Sequence, residues 1–550
     1  MREDTLLRPA ASATTAPLAG VPLAVAGRSP AIDLAVRQLG CLGVELTDRQ
    51  DDGPWLLRLG HGPQAVECAL DWAGRVALPL AGEADVQAAC GIAAVNGRRH
   101  GAPQQLGIGY ASAVAGVLAV QGLLAARYAA LRGAPVRRVR TSVADAALLA
   151  VGQYLAAATA DEPAEPLAHA AGAPPFTSAD GVRFEIEALE PGQWLAFWTA
   201  LGVDRRVVGR GWPPFRLRFA SGCCVLPAEL GSATAALPYR QLADAAGAAG
   251  VGIMPVRTAG PGARERGGAG GGATAPWQIE PVESGDHTGA EPPVSPGAGP
   301  LAGLRVAEMT RRLQGPLAGH LLALLGAEVV RVEPLGGDPL RGVPPMTGGV
   351  SARFHALNRH KRVLEADPRS AEGRRAIRDL VAGSDVFLHN LAPGKAEQFG
   401  LGAAELLAVR PGLVHAWASG WGAELGAGAP VGTDYLVQAY SGLASLVTPP
   451  GRPLAPTLMT VTDIFGGLVS ATGVLAALVA RASGGGGQRV ESSLLSAALA
   501  LLDTAVPPGA PPARLPAATP AELARDPRFA AALHRDGCVL PCSPWEFGPR

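Results

Sequence analysis

One aspartate stands alone in an otherwise uncharged stretch, TVTDIFGG, which runs from Thr460 to Gly467. A carboxylate held among apolar neighbours is partly removed from water, and this desolvation raises its pKa. The position before a run of small and apolar residues is also typical of a helix N-cap, where aspartate accepts a backbone N–H. Position 463 alone favours the capping role, so a chemical role for Asp463 has to be supported by the motifs around it.

The same stretch occurs earlier in the chain as GIGYASAVAG, with Ser112 in place of Asp463. PLAGVPLAVAG matches PLAGLRVAEMT, and QLGCLGVEL matches LLALLGAEV, both at an offset of 283 residues. GVLAVQGLLAARYAALRG matches GLVSATGVLAALVARASG, and VRTSVADAAL matches VESSLLSAAL, both at an offset of 351. Two constant offsets indicate an internal duplication in which the first copy is 68 residues shorter than the second.

Each copy opens with an apolar run, a helical stretch, a glycine and a second apolar run, which predicts a β-α-β unit that begins a parallel sheet. Between the copies, VRFEIE alternates as a strand does and is followed by a helical pattern, which predicts a small α+β domain. A Gly- and Pro-rich segment then predicts a flexible linker. The predicted domains are a reduced copy at 17–171, the small domain at 172–257, the linker at 258–300 and the second copy at 301–550.

Composition excludes several classes of protein. The 550 residues carry no net charge and no long basic run, which argues against nucleic acid and against an anionic membrane surface as partners. Apolar runs such as LVSATGVLAALVA are shorter than a bilayer span and predict a buried helix. Seven scattered cysteines form no CxxC pairs, so we expect reduced thiols, no metal site and a cytoplasmic location. The N-terminal residues contain no secretory signal pattern.

The second copy carries six further motifs in order. They are GAEVVRVEPLGGDPLR, FHALNRHKRVLEADPRSAEGRRAI, DVFLHNLAPGKAEQFGLG, LVHAWASGWG, GTDYLVQAYSGL and VTDIFGG. This series resembles the class III CoA-transferases, the family of formyl-CoA and carnitine CoA-transferases. The resemblance covers 301–502 well, and it extends to the small domain and to the C-terminal segment ARDPRFAAALHRDGCVLPCSPWEF.

The resemblance implies a fold and a set of site residues. It implies an α/β fold with two Rossmann-like large-domain copies, the first degenerate, and one small α+β domain, joined as a pseudo-dimer within one chain. It places the catalytic carboxylate at Asp463. It also places contacts to coenzyme A at a set of loop residues, namely Gln314, Pro334, Ala366, Asp367, Pro368, Arg369, Asn390, Leu391, Ala392, Gln398, Thr433 and Asp434.

The implied chemistry is attack of the aspartate on an acyl-CoA thioester, which gives an aspartyl anhydride and then an aspartyl-CoA thioester. A carboxylic acid then accepts the CoA, so the thioester is a substrate and no tightly bound cofactor or metal is needed. We expect backbone amides of a turn at Gly466 and Gly467 to keep Asp463 ionised and to stabilise the oxyanion. Ser112 cannot replace the carboxylate, so the first copy is expected to be a structural partner.

Several residues have simpler alternative roles. Asn390 before Pro393-Gly394 also fits an Asx-turn. The candidates for contacts to CoA phosphates are Arg359, Lys361, Arg362 and Arg369. Residues of these types more often lie in solvent on the protein surface. Gly484 to Gly487 lacks the GK[ST] of a phosphate loop and predicts a turn.

Two other functions remain open at the level of sequence. The first is an acyl-CoA racemase or isomerase of the same fold, in which Asp463 acts as a base. That reaction needs a second proton-transfer group, and Thr433 stands where the racemase branch has a histidine. The second is a noncatalytic acyl-CoA-binding protein. Association of the chain into a further homodimer is also left open.

Overall fold

Two large β-sheets flanked by helices form most of the molecule. The computed structural model describes residues 16–162, 174–260, 275–282, 299–422, 425, 428–507 and 509–549. The strands β1 to β20 are Pro22–Ala26, Glu45–Gln50, Trp55–Leu59, Val66–Asp71, Arg138–Ser142, Phe176–Thr177, Arg183–Glu187, Gly252–Pro255, Trp277–Pro281, Arg305–Met309, Glu328–Glu333, Met346–Thr347, Val350–Ser351, Arg362–Glu365, Val386–His389, Val414–Ser419, Gln488–Ser493, Leu533–Asp536, Cys538–Pro541 and Glu546–Gly548.

The described α-helices are labelled α1 to α20 in chain order. They are Pro30–Cys41, Glu83–Ala89, Ile92–Gly97, Tyr110–Leu131, Val143–Ala158, Pro191–Ala200, Arg205–Arg216, Arg218–Ser221, Ala228–Ala235, Tyr239–Ala249, Gln314–Leu324, Ala352–Asn358, Ala371–Ala382, Lys395–Gln398, Ala403–Val409, Asp434–Ser441, Leu443–Val447, Val461–Ala482, Leu494–Leu502 and Pro520–Leu523.

The sheet of the second copy is parallel apart from one edge. Its order is β14-β11-β10-β15-β16-β17-β9, and only β9 runs antiparallel to its neighbour. The predicted β-α-β unit is present as β10, α11 and β11, with Val306 opposite Val329 in the parallel register. Helices connect these parallel strands, so both faces of the sheet are covered.

The sheet of the first copy differs from the prediction. Its order is β2-β1-β3-β4-β5-β20, and β1 and β2 pair in parallel as predicted. However, β3 is antiparallel to both β1 and β4, so the sheet is mixed rather than parallel. A hairpin of two strands needs only a short connection, whereas two parallel strands need crossover helices. The hairpin therefore spans the region in which this copy is 68 residues shorter.

Each copy contributes its last strand to the sheet of the other copy. The strand β20 follows the second copy but pairs with β5 of the first sheet, and β9 follows the small domain but pairs with β17 of the second sheet. The two strands share a motif, PWQIEP and PWEFGP. Trp277 packs near Gly473 of α18 and Trp545 near Gly122 of α4, which are equivalent positions of the two copies.

The linker prediction for 258–300 is therefore wrong at Trp277–Pro281. Burial alternates along β9, with Trp277 and Ile279 fully or almost fully buried, and this packing stabilises an edge strand despite its Gly- and Pro-rich surroundings. Residues 261–274 and 283–298 of the predicted linker lie outside the described residues.

A third unit lies between the copies, within the range predicted for the small domain. Its antiparallel sheet has the order β6-β7-β8, and helices α6 to α10 pack against it. Its buried apolar cluster is separate from the main core and is rich in aromatic residues, including Trp194, Phe197 and Trp198. The predicted domain boundaries themselves stay predictions.

The two duplicated long helices pack against each other at the centre of the molecule. Helices α4 and α18 each have 22 residues, and Gln121 of α4 donates a hydrogen bond to the Leu468 carbonyl of α18 at 2.7 Å. Both helices are long and apolar enough to cross a membrane by length and composition, but 89% and 94% of their most apolar windows are buried within the molecule. The predicted buried helix at 468–480 is thus confirmed and extends over Val461–Ala482.

Candidate active site

Asp463 lies in the first turn of α18 and is not its N-cap. Thr460 occupies the N-cap position, and the backbone N–H of Asp463 donates to Oδ2 of Asp434 at 2.8 Å. Within the described residues, the Asp463 carboxylate makes no hydrogen bond or ion pair, and it is partly exposed. The capping interpretation of Asp463 is therefore wrong, because Asp434 accepts from the helix and leaves the Asp463 carboxylate free.

Asp434 is the buried residue that fixes the start of α18. Its Oδ2 also accepts from the Thr462 hydroxyl at 2.5 Å, and its Oδ1 accepts from the Gln438 amide. Gln438 in turn accepts the backbone N–H of Thr457 at 2.9 Å. The Asp434 side chain is 3% exposed, and both of its carboxylate oxygens accept hydrogen bonds from groups of α16 and α18. Its contact to CoA stays a prediction.

The first copy contains the same arrangement at equivalent positions. Glu83 accepts from the Ser112 backbone N–H at 2.8 Å and from the Ser112 hydroxyl at 2.6 Å. Gln87 donates to Glu83 at 2.8 Å and accepts the Leu106 backbone N–H at 2.8 Å. Glu83, Gln87 and Ser112 are each 351 residues before Asp434, Gln438 and Asp463. The duplication thus kept the helix-capping arrangement. The first copy has no counterpart of the Asp463 carboxylate, because a serine stands at that position and its hydroxyl donates to Glu83.

The first copy forms one wall of the site around Asp463. The Tyr110 hydroxyl of α4 donates to the Val461 carbonyl at 3.0 Å. The Tyr154 hydroxyl of α5 accepts the Thr460 backbone N–H at 3.2 Å, and Gln153 donates to the Thr460 hydroxyl at 3.3 Å. The degenerate half therefore positions the N-terminus of the helix that carries Asp463.

The pKa values of two neighbouring carboxyl groups, Asp463 and Asp434, are raised at this site. Burial raises the pKa of Asp463 well above its ordinary value, the charge of Asp434 raises it further, and the charge of Arg312 opposes these effects. Burial raises the pKa of Asp434 to about 6, against the lowering effect of its hydrogen bonds from Thr462, Asp463 and Gln438. Like charges in a partly buried site make the second ionisation harder, so the pair titrates as a unit.

We expect activity to rise with pH through the raised pKa of Asp463, because only the ionised carboxylate is a nucleophile. Arg312→Gln removes the positive charge that favours ionisation, so the acid limb of the kcat/KM profile should move to higher pH. Steady-state rates between pH 5 and 9 measure this shift. A loss of rate that is equal at every pH would instead show that Arg312 does not act on the ionisation of Asp463.

The prediction of a glycine turn after Asp463 is wrong. Gly466 and Gly467 lie inside α18, so their amides belong to the helix and do not face a ligand. The two glycines allow the N-terminus of α11 to approach closely: a Cβ at Gly467 would lie 2.7 Å from the Gln314 carbonyl oxygen and 2.9 Å from Leu317 Cβ. Close packing of α11 on α18 therefore explains GG at this position.

Gly467→Ala should destabilise the protein even though alanine favours helix. The gain in helix propensity is about 1 kcal/mol, whereas forcing a methyl group against a backbone carbonyl costs about 1–3 kcal/mol. Denaturant unfolding should show a net loss of stability. Gly247→Ala is the matched control, because Gly247 lies in helix α10 with open space around its Cα and should gain up to about 1 kcal/mol.

Most of the predicted CoA contacts lie at one edge of the second sheet. Pro334 follows β11, the stretch from Ala366 to Arg369 follows β14, and the stretch from Asn390 to Ala392 follows β15. Gln314 begins α11, just after β10. These strands are parallel neighbours, so their carboxyl ends meet at one edge, where open α/β sheets bind ligands. The structure thus brings these residues together, and their contacts to CoA stay predictions.

The individual side chains at this edge have varied environments. Gln314 is buried and donates to the Ser419 carbonyl at 3.3 Å, next to Gly466 of α18. Asn390 accepts from the backbone N–H of Arg311 at 2.9 Å and donates to its carbonyl at 2.8 Å. Asn390 thus fixes the β10–α11 loop, in which Arg312 has a positive φ of 68°.

The remaining predicted CoA contacts differ in their exposure. Gln398 is exposed and accepts from Lys395 at 2.7 Å, and Arg369 is exposed and paired with Asp367 at 2.9 Å. Thr433 precedes α16 and is buried. Its hydroxyl has no hydrogen-bond partner within the described part of the chain.

One candidate phosphate contact is excluded by its burial. The Lys361 ammonium is buried and pairs with Glu308 at 2.7 Å, and burial lowers its pKa to about 8. Glu308 also pairs with Arg331 at 2.8 Å. Lys361 therefore belongs to a buried ionic network and does not face a phosphate. Arg362 lies on the surface and pairs with Glu328 at 2.6 Å.

The site residues that sequence reasoning missed come mostly from the other two units. Tyr110, Gln153 and Tyr154 come from the first copy, and the charge of Glu187 in the small sheet raises the pKa of Asp463. Tyr110 could have been identified from the sequence, because the repeat GIGYASAVAG aligns it with Val461, two residues before Asp463. Among the described residues, no group of three or more His, Cys, Asp or Glu side chains could hold a metal ion.

Comparison with known families agrees with the motif series. The model of CoA-transferase family III matches residues 73–266 and 301–527, which together exceed half of the chain. This chain belongs to CoA-transferase family III. The family model matches two separate regions of the chain, in agreement with an internal duplication.

Several known proteins are similar to the chain over part of its length. Succinate–glutarate CoA-transferase of Agrobacterium fabrum is 36% identical over 212 residues, which cover 37% of this chain and 53% of that protein. The alpha subunit of succinyl-CoA–L-malate CoA-transferase of Chloroflexus aurantiacus is 34% identical over 238 residues, 41% of this chain and 56% of that protein. A solved CAIB/BAIF family protein from Brucella suis is 36% identical over 37% of this chain and 56% of that chain, with a TM-score of 0.36. The chain spans about half the length of the curated relatives it matches.

Proposed function

We propose that this protein is a CoA-transferase that moves CoA from an acyl-CoA to a carboxylic acid, with Asp463 as the nucleophile. The observation that carries the proposal is the free, partly exposed carboxylate of Asp463 at the N-terminus of α18, held in place by Asp434. The N-terminus of a helix stabilises negative charge, which favours the ionised nucleophile that the reaction needs. Similarity to named CoA-transferases supports the same reaction.

The proposed reaction exchanges one thioester for another without an external energy source. The Asp463 carboxylate attacks the acyl carbonyl, the C–S bond breaks, and a mixed anhydride and CoA thiolate form. The thiolate attacks the aspartyl carbonyl, which releases the donor acid and leaves an aspartyl-CoA thioester. The acceptor carboxylate attacks this thioester and displaces the thiolate, which then attacks the acceptor acyl group of the new anhydride and regenerates Asp463.

We further propose that the two Rossmann-like copies and the small domain form a covalent pseudo-dimer with one active site. Exchange of the strands β9 and β20 between the sheets supports this arrangement. Within 16–162, the first copy has a hairpin where the second copy has the loops after β14 and β15, which are predicted to contact CoA. A further homodimer and the cytoplasmic location stay predictions.

The rival functions make different demands on the same residues. A racemase needs a second proton-transfer group near Asp463, but Thr433 stands where the racemase branch has a histidine. The nearby Asp434 carboxylate already accepts hydrogen bonds from Thr462, Asp463 and Gln438. A noncatalytic binding protein needs no free carboxylate. We therefore favour transfer over both alternatives.

The test is an exchange assay with an acyl-CoA and an isotopically labelled acid. Transfer predicts that the label enters the thioester pool at a rate that depends on Asp463. Deuterium uptake at Cα without exchange of the thioester would establish a racemase instead. Tight CoA binding with turnover that is unchanged in Asp463→Ala would establish a binding protein.

A further inference from the structure

A pocket at the junction of the three units is lined mainly by apolar side chains. Its apolar lining consists of Phe219, Leu313, Leu340, Val343, Phe354 and Leu357. Phe219 comes from α8 of the third unit, and the other five come from the second copy. Except for Leu357, these residues belong to none of the four apolar clusters that form the described core. Core packing therefore does not explain why these positions are apolar.

Most polar groups around the pocket are occupied or inaccessible. Arg353 donates to the Gln153 carbonyl at 3.5 Å and to the Ala220 carbonyl at 2.7 Å. Nε of Arg353 and the hydroxyl of Ser351 are buried with almost no accessible surface. The Asn358 amide donates within its own helix, α12, at 3.0 Å. These groups are therefore not available to a ligand in the pocket.

Arg312 differs from the other polar residues at the pocket. Of the lining residues it is the exposed one, and its positive charge favours ionisation of Asp463. Its guanidinium thus serves the reacting carboxylate. The rest of the pocket offers apolar surface to a ligand.

The pocket adjoins the turn of α18 that carries Asp463. Gln153 lines the pocket, and its side chain donates to the Thr460 hydroxyl at 3.3 Å. Gln314 directly follows another lining residue, and a Cβ at Gly466 would lie 3.2 Å from its Nε2. Thr460 and Gly466 are each three residues from Asp463, a spacing that makes side chains neighbours on a helix. The carbons beyond a carbonyl attacked by Asp463 can therefore extend into this pocket.

The loop that carries Leu340 and Val343 is fixed by charged contacts. Arg341, in the same loop, pairs with Glu333 at 2.8 Å. Its guanidinium carbon also lies 4.5 Å from the centroid of the Phe354 ring. These contacts set the shape of the pocket before a ligand binds, and a preformed pocket discriminates between ligands by size.

The pocket is small. Its volume is about 20 Å³, and a cavity of about 10–15 Å³ already holds one water molecule. It has room for one compact group, such as the methyl end of a short acyl chain. A longer chain needs a wider pocket.

We propose that this pocket binds the methyl end of a short, uncharged acyl group whose thioester carbonyl reacts at Asp463. This inference rests on the proposed CoA transfer and specifies its substrate class. A methyl group loses nothing among apolar side chains, whereas a carboxylate there would lose its hydration. The pocket therefore selects against acyl groups with a charged end.

The first test compares butyryl-CoA with succinyl-CoA, which have equal chain length but end in a methyl group and a carboxylate. The wild-type protein should prefer butyryl-CoA by about 100-fold in kcat/KM. Leu340→Arg places a guanidinium at the pocket, where it can pair with the carboxylate, and should lower this preference by about 100-fold. We expect this variant to fold, because Leu340 is half-buried and lies outside the core clusters.

The second test concerns the size of the pocket. Leu340→Ala widens it, so kcat/KM for hexanoyl-CoA relative to butyryl-CoA should rise by about 10-fold. Leu46→Ala is the matched control, because Leu46 is a 49% exposed leucine of β2 that does not line the pocket. It should change neither the size preference nor the preference over succinyl-CoA.

Binding to Asp463→Asn gives a measurement that does not depend on turnover. Calorimetric titration should give a Kd for butyryl-CoA that is at least about 10-fold lower than that for succinyl-CoA. Adding Leu340→Arg to this variant should abolish the difference.

The outcomes separate this inference from the proposed function. Equal or better use of succinyl-CoA by the wild-type protein would overturn the apolar pocket and leave CoA transfer intact. Tighter binding of butyryl-CoA to Asp463→Asn, without label exchange by the wild type, would support the pocket and overturn the transferase. If both Leu340 variants keep the acyl preferences of the wild type, the acyl group does not enter this pocket and the inference is wrong.

Discussion

Asp463→Asn is expected to lower kcat/KM for CoA transfer by about 10⁴-fold or more, because an amide cannot attack the thioester. The substitution keeps the shape of the side chain and leaves the cap of α18 intact, since that cap uses the Asp434 carboxylate and the Asp463 backbone. It also removes a carboxylate whose ionisation the fold disfavours. Thermal unfolding should therefore show equal or higher stability alongside the loss of transfer.

The equivalent position of the first copy is the control for this experiment. Ser112→Ala should leave transfer within about 3-fold of the wild type, because the side-chain hydrogen bond described for Ser112 is to Glu83 of the same copy. Rates of Asp463→Asn within about 10-fold of the wild type would contradict a nucleophilic role. A similar loss in Ser112→Ala would contradict the assignment of the single site to the second copy.

Asp434→Ala is expected to impair both stability and transfer. The change leaves the Thr462 hydroxyl, the Asp463 N–H and the Gln438 amide without their shared acceptor, which costs about 2–4 kcal/mol. The first turn of α18 then positions Asp463 less precisely, and displacement by about 1 Å can lower the rate about 100-fold. Chemical denaturation and steady-state kinetics measure the two effects.

Glu83→Ala separates these effects, because Glu83 makes the equivalent contacts in the first copy. It should cost about 1–3 kcal/mol. Transfer, measured well below the unfolding temperature, should fall by less than about 10-fold, because Glu83 acts on the Asp463 helix only indirectly, through Tyr110 at the start of α4. If both variants lose transfer equally, the loss reflects general destabilisation and not the positioning of Asp463.

The stability of the wild type should also depend on pH through Asp434. Its pKa is about 6 in the folded protein, above the ordinary value of 3.8 that applies on unfolding. The folded state therefore binds the proton more tightly, and its stability falls as pH rises from about 4 to about 6. Asp434→Asn should remove this contribution.

Much of the fold follows from local sequence patterns. The β-α-β openings of both copies, the long apolar helix around 468–480 and the order of the motifs in the second copy all correspond to observed elements. These features are set by residue periodicity and by glycines at helix ends, which act over short distances along the chain. The constant offset of 351 residues also located Ser112 at the position equivalent to Asp463.

The errors arose where distant residues decide the structure. Trp277–Pro281 forms a strand because it pairs with β17 and packs on α18. The similarity of PWQIEP to the C-terminal PWEFGP is the sequence feature that could have predicted this strand. Asp463 is free because Asp434, 29 residues earlier, caps the helix instead. Gly466 and Gly467 serve helix packing, which only the position of α11 reveals. None of these contacts is encoded in the local pattern.

The most direct test of the central claim is to map the covalent intermediate. The protein is incubated with butyryl-CoA, treated with hydroxylamine and digested, and the peptides are analysed by mass spectrometry. A hydroxamate at residue 463, absent from Asp463→Asn, is the predicted result. Turnover of the thioester with residue 463 unmodified, or with the hydroxamate on another carboxylate, would contradict the account.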